Sequence, residues 1–366
     1  MRVTPPTDSL GTRLAQGRTG GFDYLRIVLA VAVLFWHCWA VIQQGHAPPD
    51  GVKLAFRAAL PLFFALSGYL VASSLERLNT LPTFLLMRFL RIFPALIVET
   101  VLSALILGLF FTTLPIADYF RDPLLWAYLK NLYGDIQYVL PGVFRTHPNT
   151  LVNASLWTVP FELECYVAIS ILFLTRIFRS TALMVAAFVV LSIYWSYRQG
   201  PFDWQANLVA PGRILLLCFI AGNVVFKLRD WLPGSWAVGV GVLAVSYLLL
   251  LFPQTLFLSP LAIAYASAAL GCTAPKKLPL IFAGDYSYGL YLYAFPIQQA
   301  VYQLTGTTSI PTLFVLALTA TSLFAAFSWH FVEKPTLRLK NRIRRTAAPK
   351  LTKVEHAQGA VPVTPV

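Results

Sequence analysis

Seven ionisable side chains stand inside long apolar stretches of this sequence: Arg26, His37, Arg57, Glu99, Glu162, Glu164 and Arg213. A charge in hydrocarbon is costly, so such residues face a cavity or a partner. Arg26 and His37 are eleven residues apart. That is three helical turns and a little more, which places both on one helix face about 16 Å apart along the axis. His37 lies about 7–8 Å from the far end of its stretch and Glu162 about 9 Å in from the same side, with Arg213 and Arg57 at about 7 and 5 Å. Each alone has a plain reading: an arginine reaching for headgroups, a glutamate paired with an arginine, a histidine bonded to a carbonyl. Four such groups from four helices at one depth favour a functional site.

At the opposite end of the first stretch, Arg26 is expected near Arg88 and Arg91. These are three apart on one helix face, and Pro94 suits the first turn of a helix starting there. Three arginines together suit phosphate oxygens, although arginine at an inner membrane boundary is also expected from topology alone. The residues thus describe a protein that holds an anionic, phosphate-bearing ligand at one end and presents a titratable histidine toward the other.

The elements that position these groups follow from composition. The chain has 366 residues, 57% hydrophobic and 12% charged, against roughly 45–50% and 25% for a soluble protein. So much apolar surface requires lipid as solvent and excludes disorder or a disulfide scaffold. An apolar stretch of about 17–25 residues crosses a bilayer as a helix. Ten fit: 22–42, 54–75, 92–112, 156–174, 181–197, 208–226, 235–252, 255–271, 286–304 and 310–332. The expected fold class is all-α, a polytopic membrane bundle of about ten helices. Its parts are an N-terminal segment 1–21, read as an uncleaved start, a membrane domain 22–335 and a basic tail 336–366.

With the N-terminus cytoplasmic, twenty lysines and arginines fall in inside segments and five in outside segments. The positive-inside rule then places both termini in the cytoplasm. The net charge of +13 is therefore mostly a signal of orientation, completed by a stretch at 334–345 expected against anionic lipid. Nucleic acid is not an expected partner; the bilayer is. The long outside connection 113–155 is expected to cap an outward-facing cavity. Cys38, Cys165, Cys218 and Cys272 are scattered in apolar runs, with no disulfide or metal-ligand spacing. Asn153-Ala154-Ser155 matches a glycosylation sequon, read as coincidence beside a membrane entry.

Six segments, in order, resemble the acyltransferase 3 family of integral membrane acyltransferases. Asp23-Tyr24-Leu25-Arg26 with His37 eleven residues on resembles its opening motif. Phe63-Phe64-Ala65-Leu66-Ser67-Gly68-Tyr69, the pair Arg88 and Arg91 before Pro94, and Ser155-Leu156-Trp157-Thr158 leading to Glu162 resemble the next three. Ser287-Tyr288-Gly289-Leu290-Tyr291-Leu292 and Val332-Glu333-Lys334-Pro335 resemble the last two. In one respect the chain departs: many members carry a histidine after the Ser-Tyr segment, where this chain has Tyr293-Ala294-Phe295-Pro296.

The resemblance implies transfer of an acyl group, most often acetyl from acetyl-CoA, to a sugar hydroxyl in an exopolysaccharide, lipid-linked glycan or small molecule, at a bacterial inner membrane. It implies no permanently bound cofactor; acyl-CoA is a donor substrate and no metal is expected. The donor's phosphates are expected at Arg26, Arg88 and Arg91. The catalytic pair is expected to be His37, as general base, and Glu162, orienting the imidazole or offsetting its charge. Arg213, Trp157, Ser155 and Tyr288 are expected as acceptor or oxyanion contacts. An acyl-histidine relay and direct transfer both remain open. The competing class is a transporter or glycan flippase, for which internal symmetry is expected and none is visible.

Overall fold

The computed structural model describes residues 6–17, 19–43, 48–199, 211–276, 278 and 284–338. Among these residues the protein is helical, without strands. Ten principal helices overlap the ten predicted stretches in whole or in part: α1 Gly20–Ile42, α2 Ala59–Leu78, α3 Leu81–Val101, α4 Val159–Leu174, α5 Thr181–Gln199, α6 Gly212–Lys227, α7 Trp236–Leu251, α8 Ser259–Gly271, α9 Ser287–Thr305 and α10 Ile310–Phe327. Six helical stretches are long and apolar enough to cross a membrane: Gly20–Ile42, Asp50–Leu78, Leu81–Phe111, Ala154–Leu174, Thr181–Arg198 and Ile310–Arg338. The 16 residues of α6 and of α7 reach about 24 Å, short of a hydrocarbon core of about 30 Å.

Local rules account for many helix starts. Proline stands in the first turn of α3, α4, α8 and α10, where its missing N–H is no loss. Ser235 and Ser309 cap α7 and α10 through their hydroxyls. One start differs from expectation. Helix α3 begins at Leu81 with Pro82, not near residue 92, and Pro94 lies inside it. Arg88 and Arg91 are therefore mid-helix residues, and Pro94 only removes one backbone donor.

Packing is closest where α2 crosses α6. A Cβ on Gly68 would lie 2.0 Å from the Phe219 carbonyl oxygen, and one on Gly222 would lie 2.2 Å from that of Ala65. Small residues let the two backbones meet. Helix α9 lies between α1 and α10. Two wide π-helical turns extend α3 (Leu102–Leu107) and α10 (Ser328–Glu333). A π turn aligns residues five apart, and so Ser328 meets Glu333, its hydroxyl donating at 3.1 Å.

The segments expected to share a side do touch. Around the start of α1, Gly21 N–H donates to Thr273 O at 3.1 Å, and Leu10 N–H donates to Leu232 O at 2.9 Å. Lys227 and Arg229 grip Glu76 at 2.7 and 2.9 Å. At the opposite end, Tyr247 donates to Ala55 O at 2.8 Å. The connection 113–155 is a packed unit around Tyr119, Tyr128, Leu140 and Phe144. Gln299 of α9 ties it down by donating to Asn149 O and Leu151 O, both at 2.6 Å. The tail beyond 338, residues 201–210, and Arg2, Arg18 and Lys277 lie outside the described residues.

Candidate active site

Two cavities lie along the one face of α1 that carries Arg26 and His37. The inner cavity is lined by Arg26, Arg88, Arg91, Glu162, Tyr288 and Tyr291 and holds about 980 Å³ up to its open mouth. The outer cavity is lined by Trp36, His37, Arg57, Leu60, Trp157 and Tyr291. Leu60 and Tyr291 belong to both.

The three arginines expected to bind phosphate line one cavity, and two of them, Arg26 and Arg91, are held by carboxylates that sequence spacing did not reveal. Asp285 Oδ2 accepts from Arg91 at 2.9 Å and from Arg26 at 3.3 Å. Glu333 Oε2 accepts from the other arm of Arg91 at 3.3 Å. Asp285 precedes α9, and its second oxygen accepts from Ser287 at 2.7 Å. Burial pushes its carboxyl upward, but Arg91 and Arg26 outweigh that and hold it down at about 2. Arg88 has a different setting: it donates to Ser74 Oγ at 3.5 Å, stacks on Phe84 and leaves Nε buried without a partner. Of the three it is the guanidinium without a carboxylate partner among the described residues. Tyr288 lies under Arg91, ring centroid 5.5 Å away, donates to Ile92 O and lines the arginine cavity.

His37 is 9% exposed. Its edge neighbour is Phe295, with centroids 5.2 Å apart. That apolar ring comes from the Tyr293–Pro296 stretch. The polar group facing the imidazole is Ser155, with Oγ 3.5 Å from Nδ1. Ser155 sits on the Ala154–Thr158 turn that leads into α4. Asn153 sets that turn. Its Oδ1 accepts from Ser155 N–H at 3.0 Å while its Nδ2 donates to Glu99 at 2.9 Å and to Leu292 O at 3.0 Å. The sequon match is thus a fully buried asparagine with a structural task. Trp157, on the same turn, lines the His37 cavity.

Two expected partnerships of the site are not formed. Glu162 lines the arginine cavity, accepts from Tyr166 at 2.5 Å and does not meet His37. Arg213 pairs instead with Glu164 at 2.6 Å, lies over Trp195 and lines neither cavity. The cation in the histidine cavity is Arg57, which donates to Leu250 O at 3.4 Å. Depth along a helix says nothing of the direction a side chain takes around it. Glu162 and Glu164 differ by about 200° in that direction.

In its chemistry the arrangement offers cations for an anionic ligand in one chamber. It offers an imidazole with a hydroxyl and a guanidinium in the next. Residues 19–330 match the family model described as acyltransferase domain. The chain is 27% identical to an O-acetyl transferase of Shigella phage Sf6, over 90% of this chain and 98% of that protein. It is also 27% identical to nodulation protein 10 of Rhizobium leguminosarum bv. viciae, over 90% and 96%. No solved structure matches it.

Proposed function

This chain belongs to the acyltransferase 3 family, and from that premise we propose that it carries an acetyl group from cytoplasmic acyl-CoA to a sugar hydroxyl. The carrying observation is the shared face of α1. It sets Arg26 in one chamber and His37 in the next, with a common wall at Leu60 and Tyr291. Arg88, Arg91 and Arg26 bind the donor's phosphates, and the pantetheine arm leads the thioester toward His37. The acceptor is a glycan or lipid-linked glycan at a bacterial inner membrane. The bundle crosses that membrane ten times, with both termini in the cytoplasm.

The residues would act as follows. In the tautomer whose Nδ1 donates to Ser155 Oγ, Nε2 of His37 is the base. As the acceptor oxygen attacks the thioester carbon, Nε2 takes its proton, the carbon–sulfur bond breaks, and CoA leaves as the thiol once it regains that proton. A base so placed contributes about 10²–10⁴-fold. Arg57, rather than Arg213, is the cation available to the developing oxyanion. Glu162 belongs to the donor end, where it offsets the arginines.

The test is direct. Purified protein reconstituted in sealed vesicles is incubated with labelled acetyl-CoA and a mixture of glycans. Label on glycan supports the reading; label that crosses the membrane without transfer would instead make the protein a transporter.

A further inference from the structure

Tyr291 belongs to both chambers, and with Leu60 its side chain lies between the arginines and His37. The ring stands edge-on to Phe63 of the inner wall, centroids 6.0 Å apart. The hydroxyl is held twice. It donates to Ser155 O at 3.1 Å and shares a hydrogen with Thr158 Oγ1 at 2.8 Å. Both partners lie on the Ala154–Thr158 turn, whose Ser155 hydroxyl faces Nδ1 of His37. From the other side Asn153 clamps the turn to Glu99 and to the carbonyl of Leu292, the residue after Tyr291. One side chain therefore forms part of the wall shared by the two chambers and also holds the turn whose Ser155 faces the imidazole.

We propose that Tyr291 is the gate between the two chambers and a positioning residue for His37. With the gate closed, the ring blocks the passage and the hydroxyl keeps Ser155 against the imidazole. A ligand arm from the arginine chamber reaches His37 only when the ring swings aside, a motion of the kind that gates many enzymes. Gate and base are coupled because both depend on the same turn. The identity of what passes rests on the acyl-transfer reading; the existence of the gate does not.

The experiment has two arms. In the first, His37→Cys protein in sealed vesicles is treated with a charged methanethiosulfonate reagent on the side where Arg26 lies, and the labelled peptide is identified by mass spectrometry. Adding Tyr291→Ala should speed labelling of position 37 from that side about tenfold and leave the opposite side unchanged, because the block is local. Tyr291→Leu serves if the alanine variant does not fold. Equal rates with and without Tyr291 overturn the gate.

In the second arm, Tyr291→Phe keeps the ring and loses both hydroxyl bonds. It should lower kcat and shift the pH profile of acyl transfer while KM for acetyl-CoA stays within about twofold, since the donor site is untouched. An unchanged pH profile and kcat overturn the positioning role. A wild-type protein that transfers no acyl group would defeat the acyl-transfer reading, and the labelling arm would still decide the gate.

Discussion

Arg91 and Asp285 stand 2.9 Å apart although 194 residues separate them in the chain. The same carboxylate oxygen reaches Arg26 at 3.3 Å. One acid placed just before α9 thereby fixes two of the three guanidinium groups at the inner end of the site. Asp285→Asn should lower stability by about 1–3 kcal/mol, because it leaves two partly buried arginines short of a partner. Thermal melting in detergent measures this; an unchanged melting temperature would show that the pairing contributes nothing.

The arginines should separate by their partners. Arg88→Gln is expected to raise KM for acetyl-CoA about tenfold with little change in melting temperature, since Arg88 has no carboxylate to lose. Arg91→Gln should raise KM and also lower the melting temperature, because it abandons Asp285 and Glu333. Initial rates against donor concentration, with melting curves for the same samples, check both. Unchanged donor affinity in both variants would assign these residues to membrane topology.

Ser155→Ala should reduce kcat about two- to tenfold, the range for one neutral hydrogen bond, with KM for the donor unchanged. Glu162→Gln should act on donor binding and not on the pH dependence of kcat, because its carboxylate lies in the arginine cavity. A pH–rate profile altered by Glu162→Gln and not by Ser155→Ala would reverse the two assignments.

Gly222→Leu should destabilise the bundle by about 1–3 kcal/mol or more, the range for overpacking. Its side chain would drive into the Ala65 carbonyl and the backbone at Gly68. Thermal melting checks this, with Gly241→Leu as the control. Gly241 has nothing within 4 Å of a built Cβ, so that variant should melt like the parent.

How far the sequence reached depends on what kind of relation was being read. Arg26 and His37 were legible as one face because helix period and spacing within one helix fix direction. Arg88 and Arg91 were legible for the same reason. The start of their helix was not, because a proline rule points equally well to Pro82 and Pro94. Relations between helices were out of reach: Asp285 and Glu333 find Arg91 only through the tertiary packing of α9 and α10. Glu162 and Arg213 were placed together by depth alone, and the direction around α4 separates them. Tyr291 was visible only as one aromatic in a recurring motif, with nothing in its neighbours to show that it parts two chambers.

The central claim is that His37 is the base. Acetyl transfer to glycan by His37→Ala, in protein that inserts and melts like the parent, measures it most directly. The account predicts a loss of about 10²–10⁴-fold in kcat with donor KM unchanged. Acetylation at the wild-type rate would contradict it.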